Sequence, residues 1–237
     1  KKHIKQFPNS IILLEILGAA YLGLNKHDDA VQIFQKLLRL QPGHSDAFNN
    51  LGIAFYDQGR FDAAVENYQK AVEIEPNFAV AHFNLGNAQM QMANFGKAIE
   101  SYKASLQINP NDAEVLFQCG IALKGYGNFD QAIEFYTKVA QISPKWDGLR
   151  ANIKDATKEK CEIYKLISDY ARVLELQMLS AEVFCFTGKV LQARNYLGAA
   201  VDSYWQAINI SSDYAEPHKL LGNLHHSTGY LDGALHS

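Results

Sequence analysis

Cysteine is scarce and poorly placed for cysteine chemistry. The three thiols, Cys119, Cys161 and Cys185, are odd in number and far apart, so they make neither a disulfide framework nor a zinc-ligand spacing. They read as reduced thiols and predict a cytoplasmic compartment. An excess of one charge is also missing. The chain has 22 lysines and arginines against 25 aspartates and glutamates, a net charge of −3, whereas a nucleic-acid binder carries a basic excess or stripe. Apolar runs are short, as at Ile11-Ile12-Leu13-Leu14, and a membrane helix needs about 20 apolar residues in a row. No basic segment followed by an apolar core and a small-residue cleavage site opens the chain. Neither nucleic acid nor membrane is expected as a partner.

The groupings that carry catalysis are absent too. Eight histidines form no His-x-x-x-His or His-Glu-x-x-His pair. His225 and His226 are neighbours, which point different ways on a helix. His218 and His225 share a face, with no acidic or cysteine ligand beside them. No metal and no cofactor are expected. The glycines are not gathered into a phosphate loop, and there is no Gly-x-Ser-x-Gly elbow. Asp28-Asp29 stands where a helix begins, a place that favours acids electrostatically. The chain reads as non-enzymatic.

What is present is a period. Five of the six prolines, Pro8, Pro42, Pro76, Pro110 and Pro144, are spaced 34 residues apart. A fixed period of that length marks a repeat array. The same step carries Gly18, Gly52, Gly86 and Gly120, then Ala30, Ala64, Ala98 and Ala132, then Phe34, Tyr68, Tyr102 and Tyr136. Within residues 45–78, Leu51, Ala54 and Phe55 form one helical stripe, and Phe61, Ala64, Val65, Tyr68, Ala71 and Val72 a second. Gly59 lies between the stripes and suits a left-handed helix cap. Pro76 closes the second helix. The small Gly52 and Ala64 fall where the two helices cross, letting their backbones come close, with Phe61 and Tyr68 filling the space beside them.

This pattern resembles the tetratricopeptide repeat, and the resemblance implies an all-α fold, a right-handed superhelical solenoid of antiparallel helix pairs. Residues 1–10 match the tail of a preceding repeat ending at Pro8. Residues 11–146 match four regular repeats. Residues 181–237 match one repeat (Gly188, Ala200, Tyr204, with Ser212 in place of proline) plus a truncated one carrying Leu221-Gly222, Gly229, Tyr230 and Ala234. The two ends predict a piece of a longer array. Residues 147–180 keep the phase but degenerate: Lys154 replaces the small glycine, Thr157 an aromatic and Cys161 the turn residue. Helices with altered packing are expected there, with Ile163, Leu166, Ile167, Tyr170, Val173 and Leu176 on one face.

The resemblance further implies that the first helix of each unit lines a concave peptide-binding groove. It places there Asn49, Asn50, Ile53 and Tyr56, then Phe83, Asn84, Asn87 and Met90, then Phe117, Gln118 and Ile121, and Asn152. An amide recurs at Asn50, Asn84, Gln118 and Asn152, and an amide donates to and accepts from a peptide backbone at once. Asn50-Leu51-Gly52 and Asn84-Leu85-Gly86 are similar to the asparagine ladder in the repeat arm of O-linked N-acetylglucosamine transferases. The same asparagines can instead hydrogen-bond helix to helix, and Phe83 and Phe117 can instead pack between units; the residues leave both readings open. The family's clamp for chaperone C-termini is not matched, since Ile12, Asp46, Val80 and Glu114, with Glu15, Asn49 and Phe83, occupy the places of its cations. The expected function is a protein-interaction scaffold binding a peptide segment of a protein partner. One alternative is the substrate-recruiting arm of a larger glycosyltransferase or sulfotransferase. Another is a homo-oligomer built through its end repeats.

Overall fold

The 34-residue periods 11–44, 45–78, 79–112, 113–146 and 181–214 each fold as one helix pair, with a glycine of the first helix pressed on an aromatic ring of the second. The computed structural model describes residues 9–174 and 176–228. The Pro8 tail, the side chains of His225 and His226, and Gly229, Tyr230 and Ala234 lie outside the described residues. Among the described residues there are twelve helices and no strand. They are α1 (Ile11–Gly23), α2 (His27–Leu40), α3 (Ser45–Asp57), α4 (Phe61–Ile74), α5 (Ala79–Gln91), α6 (Phe95–Ile108), α7 (Ala113–Tyr126), α8 (Phe129–Ile142), α9 (Leu149–Val173), α10 (Ala181–Ala193), α11 (Leu197–Ile210) and α12 (Ala215–Thr228). They belong to two compact units, Lys1–Val115 and Leu116–Ser237.

In the first unit the helices pair as α1/α2, α3/α4 and α5/α6, and α2 also packs on α3 and α4 on α5. The connections of three or four residues make neighbouring helices antiparallel. At each crossing the glycine has no room for a side chain. A Cβ on Gly18 would stand 2.5 Å from the Phe34 ring, on Gly52 2.6 Å from Tyr68, and on Gly86 2.5 Å from Tyr102. Ala30, Ala64 and Ala98 are fully buried beside them. The tight turn inside each pair passes through one left-handed residue: Asn25 (φ 55°), Gly59 (φ 73°) and Ala93 (φ 56°). Gly59 therefore takes the conformation its sequence position suggests. Ala93 adopts it against a cost of about 1–2 kcal/mol, so the packing of α5 on α6 outweighs the local preference.

The second unit repeats this geometry at Gly120 against Tyr136 and at Gly188 against Tyr204. Its turn residues are Gly127 (φ 98°) and Asn195 (φ 63°). Between the two pairs the pattern changes. Residues 149–173 form one unbroken 25-residue helix, α9, not the several helices expected from the repeat phase. The physical reason is local. Position 161, where the other periods turn, lies in Lys158-Glu159-Lys160-Cys161-Glu162, a run of mostly good helix formers with no glycine or asparagine. Lys154, at the crossing position, is exposed, so no helix closes on it. The long helix turns a narrow seam of Leu149, Ala156 and Ile163 inward. Ile167 packs partly buried on the same core, and Tyr170 stacks on Phe186 at 3.8 Å between ring centres. Leu166, placed on that face by the sequence reading, is exposed. Leu176 lies beyond the helix end, and the side chain of Val173 is outside the described set.

Candidate functional site

The first helices of the first unit, α1, α3 and α5, lie side by side, and their outward faces hold most of the sequence-predicted groove residues. On α3, Asn50, Ile53 and Tyr56 are half-buried, Tyr56 meeting Phe61 edge-on at 5.4 Å. On α5, Phe83, Asn84, Asn87 and Met90 are half-buried. Asn49 departs from expectation: it is only 5% exposed. It sits between α3 and α5, where its Oδ1 accepts a 3.0 Å hydrogen bond from Nδ2 of Asn84. A buried amide needs a partner, and Asn84 supplies it. Asn49 is thus removed from the groove surface, and Asn84 spends one of its two donor hydrogens on helix-to-helix bonding.

Other polar groups are committed inside the same unit. The Tyr102 hydroxyl donates to Asn87 Oδ1 at 2.7 Å, and Ser101 Oγ donates to Gln89 Oε1 at 2.7 Å. Phe83 lies 5.9 Å from the Tyr102 ring, so it fills the space over its own hairpin while keeping an outer edge. The sequence reading missed Gln89, which is buried; the serine that pairs with it stands on the following helix, twelve positions on. Burial pushes the Tyr68 hydroxyl well above the usual phenol range, so it stays neutral.

The remaining predicted residues belong to the second unit. Gln118 and Ile121 are half-buried on α7. Phe117 is held between Tyr136, at 5.7 Å, and Trp146, at 5.6 Å, which makes it a packing residue. Asn152 donates to the Gly148 carbonyl at 3.1 Å and accepts from Lys124 Nζ at 3.2 Å. Lys124 also pairs with Asp155 at 2.8 Å, tying α7 to α9. The Tyr136 hydroxyl is buried without a hydrogen-bond partner among the described residues. The acceptor that serves Tyr102 is Asn87, and one period later that position is Ile121.

A further contact of the second unit was not legible in the sequence. The turn from α10 to α11 seats on the turn from α7 to α8. A Cβ on Gly198 would stand 2.2 Å from the Tyr126 ring, and one on Gly127 2.8 Å from Ala199. Phe129 meets Tyr196 edge-on at 5.1 Å. The two hairpins flanking the long helix therefore touch directly.

Charge is unevenly divided in the first unit. Helices α1, α3 and α5 contain no lysine or arginine. Every cation among the unit's described residues lies on a second helix or on a turn: Lys26, Lys36, Arg39, Arg60, Lys70, Lys97 and Lys103. Acids on the first helices include Glu15, which pairs with His44 at 2.5 Å, Asp46, and Asp57, 3.7 Å from His27. Among the described residues no group of His, Cys, Asp and Glu is arranged to hold a metal, and no helix is long and apolar enough to cross a membrane.

Models of the tetratricopeptide repeat match residues 21–66, 79–112 and 113–145, and a model described as TPR repeat matches residues 54–92. No curated protein matches the chain. Solved structures do. YrrB, described as a TPR protein with an unusual peptide-binding site, is 17% identical over 93% of this chain and 96% of its own, with a TM-score of 0.55. The pilF protein of Pseudomonas aeruginosa is 17% identical over 90% and 97%, with a TM-score of 0.57. The MamA protein is 18% identical over 86% and 93%, with a TM-score of 0.55. At these identities the likeness concerns the fold.

Proposed function

We propose, for a chain that carries tetratricopeptide repeats over residues 21–145, that it is a non-catalytic protein-interaction scaffold. The first-helix face of the Lys1–Val115 unit takes a peptide segment of a partner protein. One observation carries this reading. Asn50, Ile53, Tyr56 and Met90 stand half-buried on adjacent helices, Ile53 and Tyr56 with their inner edges on the core, beside the exposed Ile12, Ile16 and Val80. Contiguous apolar surface edged by polar groups is the mark of a binding face. Asn50 supplies a donor and an acceptor for a peptide backbone. Asn84 retains its carbonyl oxygen and one N–H after serving Asn49. The likeness of the two Asn-Leu-Gly triplets to the O-linked N-acetylglucosamine transferase arm supports the same backbone-holding role.

The test is a pull-down from native lysate with wild type and with Asn50→Ala combined with Ile53→Ser, both checked for folding by circular dichroism. Neither residue is a buried hydrogen-bonding partner, so the fold should survive. Partners present with wild type and lost in the folded double variant are the expected outcome. Equal recovery by both would refute groove binding.

A further inference from the structure

The periodic placement of charge on the first helices narrows the chemistry of a segment bound there. Position 12 recurs at 46, 80 and 114 by the 34-residue step, giving Ile12, Asp46, Val80 and Glu114. All four are exposed, at the starts of α1, α3, α5 and α7. Along this column apolar and acidic side chains alternate. Ile12 is 67% and Val80 55% exposed, and Asp46 has no ion-pair partner among the described residues. The parallel column one turn on is Ile16, Asn50 and Asn84, neutral throughout. With no lysine or arginine on α1, α3 or α5, nothing on this face offsets Asp46. The one imidazole on these helices, His82, is turned back to the Pro76 carbonyl at 2.9 Å.

Geometry converts the column into a spacing. Packed helices lie roughly 9 Å apart, and a chain extended in the polyproline-II form advances about 3.1 Å per residue with three residues per turn, so every third side chain faces the same way. Successive first helices are therefore met by every third residue of an extended segment crossing them. From Ile12, Asp46 and Val80, and resting on the groove reading, we infer that the first unit selects an extended segment of a partner protein with a lysine or arginine at its centre and an apolar side chain three residues to each side. The amides of the second column meet its backbone. An acidic segment is rejected, because it would bring like charge against Asp46 with no cation near to relieve it.

The experiment uses a random peptide library displayed on phage, panned on the full chain, with the selected peptides then measured by fluorescence anisotropy. Wild type should enrich the apolar-x-x-basic-x-x-apolar pattern, with affinity that falls as salt rises. Asp46→Lys should weaken those peptides about tenfold and turn the selection toward acidic centres. Asp46→Asn, which does not reverse the charge at the start of α3, should weaken them about threefold, as expected for a rim ion pair. Asp62→Lys, on the second helix α4, should change nothing. Peptides that depend on Asn50 and Ile53 but show no basic preference, or that ignore Asp46→Lys, would overturn this inference and leave the groove reading standing. Peptides indifferent to all these substitutions would overturn both.

Discussion

Replacing Gly86 by alanine should destabilise the first unit, although alanine is the better helix former by about 1 kcal/mol. The new Cβ would stand 2.5 Å from Cε1 of Tyr102 and 2.7 Å from its Cδ1. Ordinary carbon contact begins at about 3.5 Å, so the ring must retreat about 1 Å. It has nowhere to go: Tyr102 is fully buried, Phe83 lies against it, and its hydroxyl is fixed to Asn87 at 2.7 Å. Overpacking of this kind costs about 1–3 kcal/mol, and loss of the hydroxyl bond about 1 kcal/mol more. Set against the propensity gain, the net loss is about 2 kcal/mol, or roughly 4–8 °C in melting temperature for a chain of this size. Gly23 is the internal control, since it is exposed and a Cβ there meets nothing within 4 Å. Gly23→Ala should raise stability by about 0.5 kcal/mol. Thermal and urea melts followed by circular dichroism read both. If Gly86→Ala melts at or above wild type, the claim that the glycine–tyrosine crossing sets the hairpin spacing is wrong.

Three further predictions come from the polar contacts. Asn84→Ala should cost about 1–2 kcal/mol because it strands the buried Asn49 carbonyl. Asn49→Ala together with Asn84→Ala should cost less than the sum of the two single changes, a coupling that a double-mutant cycle in urea detects. Ile121→Asn should give the unpartnered Tyr136 hydroxyl the acceptor that Tyr102 finds in Asn87; a gain of about 1 kcal/mol in stability is expected, and a loss would refute the assignment. Helix α9 is tied across its edges by Lys124–Asp155, Lys160–Asp130 and Arg194–Glu159, which are solvent-screened pairs of about 0–1 kcal/mol each. The Lys124 ammonium holds the Asp155 carboxyl below its ordinary range, so that pair stabilises the fold above the unfolded carboxyl value near ~3.9. Its contribution is lost as pH falls through the lower folded value. The protection factors of the α9 amides, taken against the unstructured exchange rate at each pH, should fall in acid and in high salt while those of α3 and α5 change less, and an equal fall would count against the ion-pair account.

Much of this molecule is legible in its residue order, because its interactions repeat. A glycine and an aromatic 16 positions apart, as at Gly52 and Tyr68, define a close helix crossing wherever they recur, and a proline at a fixed offset ends the second helix. Both rules act within one hairpin, so a single sequence displays them several times over. The outward face of the first helices was legible for the same reason, and the column at 12, 46, 80 and 114 follows from the period alone. What the tertiary structure decided were contacts that obey no period. Asn49 reads like Asn50 in sequence, yet a rotation of about 100° along the helix puts one under α5 and leaves the other at the surface. Ala93 accepts a left-handed turn because the packing of two helices outweighs a single residue's preference. Residues 149–173 keep the phase of the repeat, but without a small residue at 154 or a turn former at 161 the helix has no reason to break. Its unbroken course then accompanies a contact between Gly198 and Tyr126, residues 72 positions apart, that no local rule encodes.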